Sequence, residues 1–297
     1  MRENTGSKLY SLVYGKACSL AIDPIEKKPL YHFLPGHSSF SMATVGCNLH
    51  CLHCQNSAIS QSKSIVGKEV APEEIVKLAI AEGCKSISYT YTEPTVYYEY
   101  ALETAKIARK QGIKNVMVSN GFINEKPLKE FCRYLDAANI DLKGFTDEFY
   151  KKTCFARLDP ILDSLRIFYE KKVWLEITNL IIPGLNDDTK DIKKMCNWIK
   201  DNLGTDVPLH FSRFFPNYRL TNLGPTPPES LVKARDISKN VGINYTYIGN
   251  IFIDGADNTY CPKCGNLLIE REGFNVLQNN ILAGKCRCGQ TIAGVFE

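Results

Sequence analysis

The chain has 297 residues, 44% of them hydrophobic and 23% charged, an ordinary globular balance that excludes wholesale disorder and leaves room for one large core plus a small appendage. Its net charge of +4 is mild, and basic residues are interspersed with acids, as in Lys126-Pro127-Leu128-Lys129-Glu130, which predicts solvated helix faces and no specific nucleic-acid partner. No apolar run approaches the roughly 20 residues that span a bilayer, and no signal-peptide h-region follows the polar opening Met1-Arg2-Glu3-Asn4-Thr5-Gly6-Ser7. No membrane is therefore expected, and a cytoplasmic location is. In that setting twelve cysteines predict metal ligation or reduced thiols rather than disulfides.

In chain order, residues 1–37 read as an N-terminal extension packing on the main domain. From about Ser38, short strands rich in β-branched and aromatic residues alternate with longer helical patterns, the mark of a parallel α/β architecture. Strands are expected near 39–45, 86–92, 116–120, 138–142, 174–182, 209–214 and 244–248. Helices are expected near 72–81, 95–110, 126–135, 160–171, 189–202 and 228–240. Several helices open on proline and acids, as in Pro72-Glu73-Glu74, and Gly83, Gly112 and Gly242 follow helices where a left-handed C-terminal residue belongs. Six or seven such units with right-handed crossovers curl into a barrel, so residues 38–255 are expected to form a partial (β/α)6-type barrel. A small cysteine-rich metal ribbon, 256–297, completes the expected fold.

Parallel sheets of this kind place ligand groups at strand C-termini. The expected strands run into Tyr91-Thr92-Glu93-Pro94, Ser119-Asn120-Gly121, Asp141-Leu142-Lys143 and Ile182-Pro183-Gly184, while His210 lies within or at the end of a later strand. Taken singly these read as turns, caps or a surface ion pair, and His210 reads equally well as a core histidine. Shared placement on one rim favours a site. That rim also carries Cys47, Cys51 and Cys54, spaced C-x3-C-x2-C, a triple that chance would produce about 0.02 times per chain of this composition. Three thiolates cannot complete a four-iron cluster, which normally takes four, so one iron stays open to a non-protein ligand. Zinc completed by His50 or His53 is the competing metal reading.

Near the C-terminus, Cys261-Pro262-Lys263-Cys264-Gly265 and Cys286-Arg287-Cys288-Gly289 form two knuckles around the apolar stretch from Leu267 to Leu282. Four thiolates in two close pairs suit tetrahedral Zn2+ or a rubredoxin-like iron, with an auxiliary iron–sulfur cluster as the alternative. Cys18, Cys84, Cys132, Cys154 and Cys196 carry no motif and read as core residues.

The cysteine triple resembles the signature of radical S-adenosylmethionine (SAM) enzymes, and with the strand ends in this order the chain resembles their pyruvate formate-lyase activating enzyme branch. More closely, Tyr31-His32-Phe33-Leu34-Pro35-Gly36, Tyr89-Thr90-Tyr91-Thr92-Glu93-Pro94-Thr95, Asn139-Ile140-Asp141-Leu142-Lys143-Gly144-Phe145 and His210-Phe211-Ser212-Arg213-Phe214-Phe215-Pro216 are similar to the AmmeMemoRadiSam system radical SAM enzymes, over nearly the whole chain. The resemblance implies that Cys47, Cys51 and Cys54 bind a [4Fe–4S] cluster whose open iron is chelated by SAM. An electron from the cluster then breaks the C5′–S bond to give a 5′-deoxyadenosyl radical. It further implies His53 against adenine, and Tyr91-Thr92-Glu93 in place of the superfamily's Gly-Gly-Glu, with Glu93 accepting the SAM amino group. Ser119 and Asn120 match a strand end near the ribose and methionine, Asp141 and Lys143 match an Asp-x-Lys whose lysine meets the SAM carboxylate, and His210 faces the same pocket. Relatives of this kind often carry a cysteine-containing segment ahead of the part matching Lys8–Lys16, and no role of that segment is carried over.

The function expected is reductive SAM cleavage followed by hydrogen abstraction from a partner protein, as in glycyl radical activation, or from a small molecule. The implied partners are an electron donor such as ferredoxin or flavodoxin and a protein substrate or Memo-like pathway partner. The alternative from another class is a non-catalytic iron–sulfur electron carrier or metal-dependent interaction module, in which Glu93, Asn120, Asp141 and Lys143 would have no task.

Overall fold

The computed structural model describes residues 1–296. Seven parallel strands form its centre: β5 (Ser38–Ala43), β7 (Ser86–Tyr89), β8 (Lys114–Ser119), β9 (Ala137–Asp141), β10 (Trp174–Ile181), β11 (Leu209–Arg213) and β12 (Thr246–Gly249). They pair in chain order, β5 on β7 through β11 on β12, and β4 (Ser19–Pro24) adds one antiparallel edge strand beside β5. The long connections are α2 (Pro72–Ala81), α3 (Tyr98–Lys110), α4 (Glu125–Phe131), α6 (Asp159–Glu170), α7 (Thr189–Leu203) and α8 (Pro228–Val241). The fold is therefore α/β, with the sheet order of an open barrel.

The strands are buried on both faces, which is why they read as short β-branched and aromatic runs. Ile87, Tyr89, Val116, Met117, Ile140, Ile177, Leu209 and Phe211 are all without exposed surface, each such side chain stabilising the fold by about 1.5–3 kcal/mol. The helices follow from their own signals. In α7 the Asp188 carboxylate accepts the N–H groups of Lys190 and Asp191, and Ile192, Met195, Cys196, Ile199 and Leu203 line one buried face. Gly242 ends α8 at a φ of 102°.

The N-terminal segment does more than pack on the barrel. After the hairpin β1 (Arg2–Thr5) and β2 (Lys8–Ser11), a short pair joins β3 (Lys16–Ala17) to β6 (Lys68–Glu69), and β4 extends the sheet. The signal for β4 is weak because only Asp23 of its six residues is buried and it ends on proline, as edge strands tolerate. Short helix α1 (Ser57–Ser60) follows the cysteine triple, and α5 (Asp147–Phe149) runs into a single π turn, Tyr150–Cys154.

The C-terminal strands β13 (Thr259–Tyr260), β14 (Leu267–Glu272) and β15 (Asn275–Asn279) form a separate antiparallel sheet. Its Leu268 and Ile269, with Ile292 beyond the sheet, pack with Tyr31, Tyr245 and Tyr247. Arg271, 4% exposed, donates to the Tyr31 carbonyl at 2.7 Å, lies over the Tyr31 ring and comes within 3.8 Å of buried Glu26. The ribbon and the N-terminal segment are thus joined through a buried cation and through backbone hydrogen bonds of Val295 to His32 and Leu34 at 2.7 Å.

Candidate active site

The cysteine loop leaves the C-terminal end of β5 and is fixed mainly by its backbone. Gly46 opens it at a φ of 106°, where a Cβ would come within 2.5 Å of Met1 Cγ and 3.2 Å of Val96 Cγ1. The Gly46 N–H donates to the Ile59 carbonyl at 3.0 Å, and the Leu52 carbonyl accepts the Arg219 N–H at 3.0 Å. On this frame the Cys47 sulfur accepts the Leu49 N–H at 3.4 Å and faces the Asn120 side-chain amide at 3.7 Å, while the Cys54 sulfur is 3.1 Å from the Ser60 hydroxyl. Burial pushes the Cys47 thiol up to about 12, whereas the Cys154 thiol beside Cys51 draws that group down.

Glu93 ties two strand ends together. It has no exposed surface; one carboxylate oxygen accepts the Thr95 N–H, the Thr95 hydroxyl and the Ser119 hydroxyl at 2.8–3.1 Å, and the other accepts the Asn120 N–H at 2.9 Å. Burial pushes its carboxyl up, against the pull of these donors. Asn120 reaches back to Asn48 at 2.9 Å, linking this strand end to the cysteine loop. Tyr91, at a φ of 63°, turns its hydroxyl to Asp23 and its ring under the Lys28 ammonium, and its carbonyl accepts the Asn56 amide at 2.7 Å. The Thr92 hydroxyl donates to the Thr44 carbonyl at 2.7 Å. One strand further, Lys143 pairs with Asp141 at 2.8 Å, and its N–H donates to the Tyr150 hydroxyl at 2.9 Å. Burial works against the lysine charge, but Asp141 and the thiols of Cys51 and Cys154 hold its pKa above the usual range.

His53 is 4% exposed, and neither ring nitrogen has a hydrogen-bond partner among the described residues. Burial, assisted by the Lys143 charge, pushes the imidazole down to about 3, so the ring is neutral near pH 7. Its ligand atom and the sulfurs of Cys51 and Cys154 all lie within 4.8 Å of one another. Cys154 is thus a fourth thiol beside the loop rather than a plain core residue. No spacing in the sequence announces it, because it reaches Cys51 from the far end of the β9 connection.

His210 is not part of this group. It is the second residue of β11, three positions before Arg213 at the rim, and its Nε2 lies 2.7 Å from Glu176. Glu176 also accepts the N–H groups of Tyr31 and His32 and the Trp174 indole N–H, at 2.8–3.0 Å. The His210 ring meets Tyr31 edge-on and stacks on Tyr247. The core reading holds for His210: it seats the N-terminal segment.

The C-terminal cysteines form a second centre. Cys261 and Cys288 sulfurs are 3.7 Å apart, as are those of Cys264 and Cys286, and all four lie within 4.8 Å of one another. A zinc–sulfur bond of about 2.3 Å gives a tetrahedron with edges of about 3.8 Å, so this set fits one ion. A four-iron cube attaches each thiolate to a different iron and needs wider spacing, which disfavours an auxiliary cluster. Cys47, Cys51 and Cys54 do not form so close a set among the described residues, as suits thiolates bound to separate irons. With the orphaned ring of His53 next to them, these residues fit a cluster and an organic ligand.

Residues 42–199 match the Radical SAM superfamily. The chain is 50% identical over 296 residues to the uncharacterized protein MJ0808 of Methanocaldococcus jannaschii, covering 98% of this chain and 88% of that one. It is 24% identical to the pyruvate formate-lyase-activating enzyme of Clostridium pasteurianum, covering 52% and 67%. The fold is shared with the crystal structure of a radical SAM methyltransferase from Sphaerobacter thermophilus, with a TM-score of 0.58 at 15% identity over 79% of this chain and 71% of that one. The chain belongs to the Radical SAM superfamily and is an enzyme of [4Fe–4S] and S-adenosylmethionine chemistry, with homologues among the activating enzymes.

Proposed function

We propose that Cys47, Cys51 and Cys54 hold the [4Fe–4S] cluster and that the strand ends beside them hold SAM. When both are bound, an electron from the reduced cluster cleaves SAM reductively, and the adenosyl fragment removes hydrogen from a substrate C–H bond. The protein's own part is placement. Lys143, kept charged beside Asp141, supplies the cation for the SAM carboxylate. Glu93 offers negative charge to the amino group and fixes Ser119 and Asn120 around the methionine end. The Tyr91 and Thr92 side chains turn away to Asp23 and Thr44, so this pair contributes through its backbone. Neutral His53 packs against the adenine.

The substrate is a segment of a partner protein. This reading is favoured by the activating-enzyme relatives and by exposed Phe155, Leu185 and Phe215 on the loops after β9, β10 and β11, around the mouth of the site. A cytoplasmic flavodoxin or ferredoxin supplies the electron, and the C-terminal cysteines hold Zn2+ or a single iron. The observation that carries the reading is the convergence of the cysteine loop, Glu93 and the Asp141–Lys143 pair on one rim, the first two joined through Asn48, Asn56 and Asn120 and the third through the Tyr150–Cys154 turn. Replacing Lys143 with Met in the cluster-loaded protein is expected to weaken SAM binding at least about tenfold, the loss of one charge-assisted contact, with the iron count unchanged. Undiminished SAM affinity would contradict the assignment.

A further inference from the structure

Cys154 has no exposed surface, yet its position is over-determined for a residue that only fills space. Two backbone hydrogen bonds clamp its turn to the cysteine loop on either side of Cys51: the His50 N–H donates to the Cys154 carbonyl at 3.3 Å and the Leu52 N–H to the Thr153 carbonyl at 2.9 Å. The same turn is anchored to the Asp141–Lys143 strand end through the Tyr150 hydroxyl. It is a π turn, a rare form frequent at functional sites, and it is followed by Phe155 at a φ of 57°, uncommon for a large side chain. The outcome is that the Cys51 and Cys154 sulfurs lie within 4.8 Å of one another, on backbone segments that the clamp holds side by side.

We infer that the Cys154 thiol donates its S–H to the Cys51 sulfur when Cys51 ligates iron, and thereby raises the potential at which the cluster accepts its electron. The inference rests on Cys51 being a cluster ligand. A donor to a ligand sulfur stabilises the added negative charge of the reduced cluster, one of the means by which a protein tunes such potentials. Cys154 is a thiol without exposed surface, the protonated form that burial favours, and so it can act as a donor. It binds no iron and carries no electron; it is a positioning residue acting through Cys51.

The test is a redox titration of the reconstituted full chain, following the reduced cluster by electron paramagnetic resonance without SAM, for wild type, Cys154→Ala and Cys154→Ser. Without its donor, Cys154→Ala is expected to show a lower midpoint potential, with up to about a tenfold smaller ratio of reduced to oxidised cluster at a fixed poise, equivalent to about 59 mV for one electron. Cys154→Ser, which keeps a donor, is expected to recover most of the difference at the same iron content. An unchanged midpoint in Cys154→Ala overturns the inference, as does a serine variant indistinguishable from alanine. If alanine prevents cluster assembly, the serine variant decides: a near wild-type midpoint supports the donor role, whereas a shifted midpoint or cluster loss there too overturns it. Because SAM is absent, failure of the SAM assignments would leave this measurement unaffected, and loss of the cluster in Cys51→Ala separately checks the ligand on which it rests.

Discussion

Glu93, proposed to meet the SAM amino group, already has a structural task. Its carboxylate collects four donors from Thr95, Ser119 and Asn120, so it fixes the ends of β7 and β8 before any ligand arrives. Glu93→Ala would leave those buried donors without an acceptor, at about 1–3 kcal/mol for each group left unpaired, and would confound stability with function. Glu93→Gln keeps the shape and removes the charge. It is expected to bind a normal cluster yet to form 5′-deoxyadenosine at least about a hundredfold more slowly, on the order of 3 kcal/mol of lost stabilisation; a rate within a few-fold of wild type would remove Glu93 from the SAM site. The placement of Glu93, Asp141 and Lys143 at or just beyond strand C-termini was legible in the sequence because the alternation of strands and helices fixes where each strand ends. Cys154 and Asn56 were not, since each acts through a partner brought near only by folding.

At the scale of elements, the six expected helices and seven expected strands are present, with ends shifted by up to four residues where caps and turns decide them. The edge strand β4 escapes the pattern because only one of its six residues is buried, and the sequence leaves open whether His210 lies within β11 or at its end. What the sequence could not reveal is Glu176, a carboxylate in the middle of β10 that accepts from His210, Trp174 and the backbone of Tyr31 and His32. Burial works against its charge, but the His210 hydrogen bond and the charges around it hold the carboxyl below its usual range. Glu176→Ala is therefore expected to destabilise the protein by about 3–5 kcal/mol, as loss of one partner from a buried ionic network does. The urea midpoint measures this, and a change under about 1 kcal/mol would show that the network is dispensable.

At the scale of the molecule, two cysteine centres occupy one chain with different geometry. The rim loop spreads three thiols beside polar strand ends, where a bound cluster keeps an iron open; the ribbon closes four thiols into a set that fits a single ion and docks through Arg271 onto the N-terminal segment. The proposed chemistry is assigned to the first centre. The most direct test is to reconstitute the full chain without oxygen, reduce it in the presence of SAM and measure 5′-deoxyadenosine, with Cys51→Ala as the control. The account predicts 5′-deoxyadenosine and methionine from the wild type and none from the variant; equal formation by both, or none from a wild type holding an intact, reducible cluster, would contradict it.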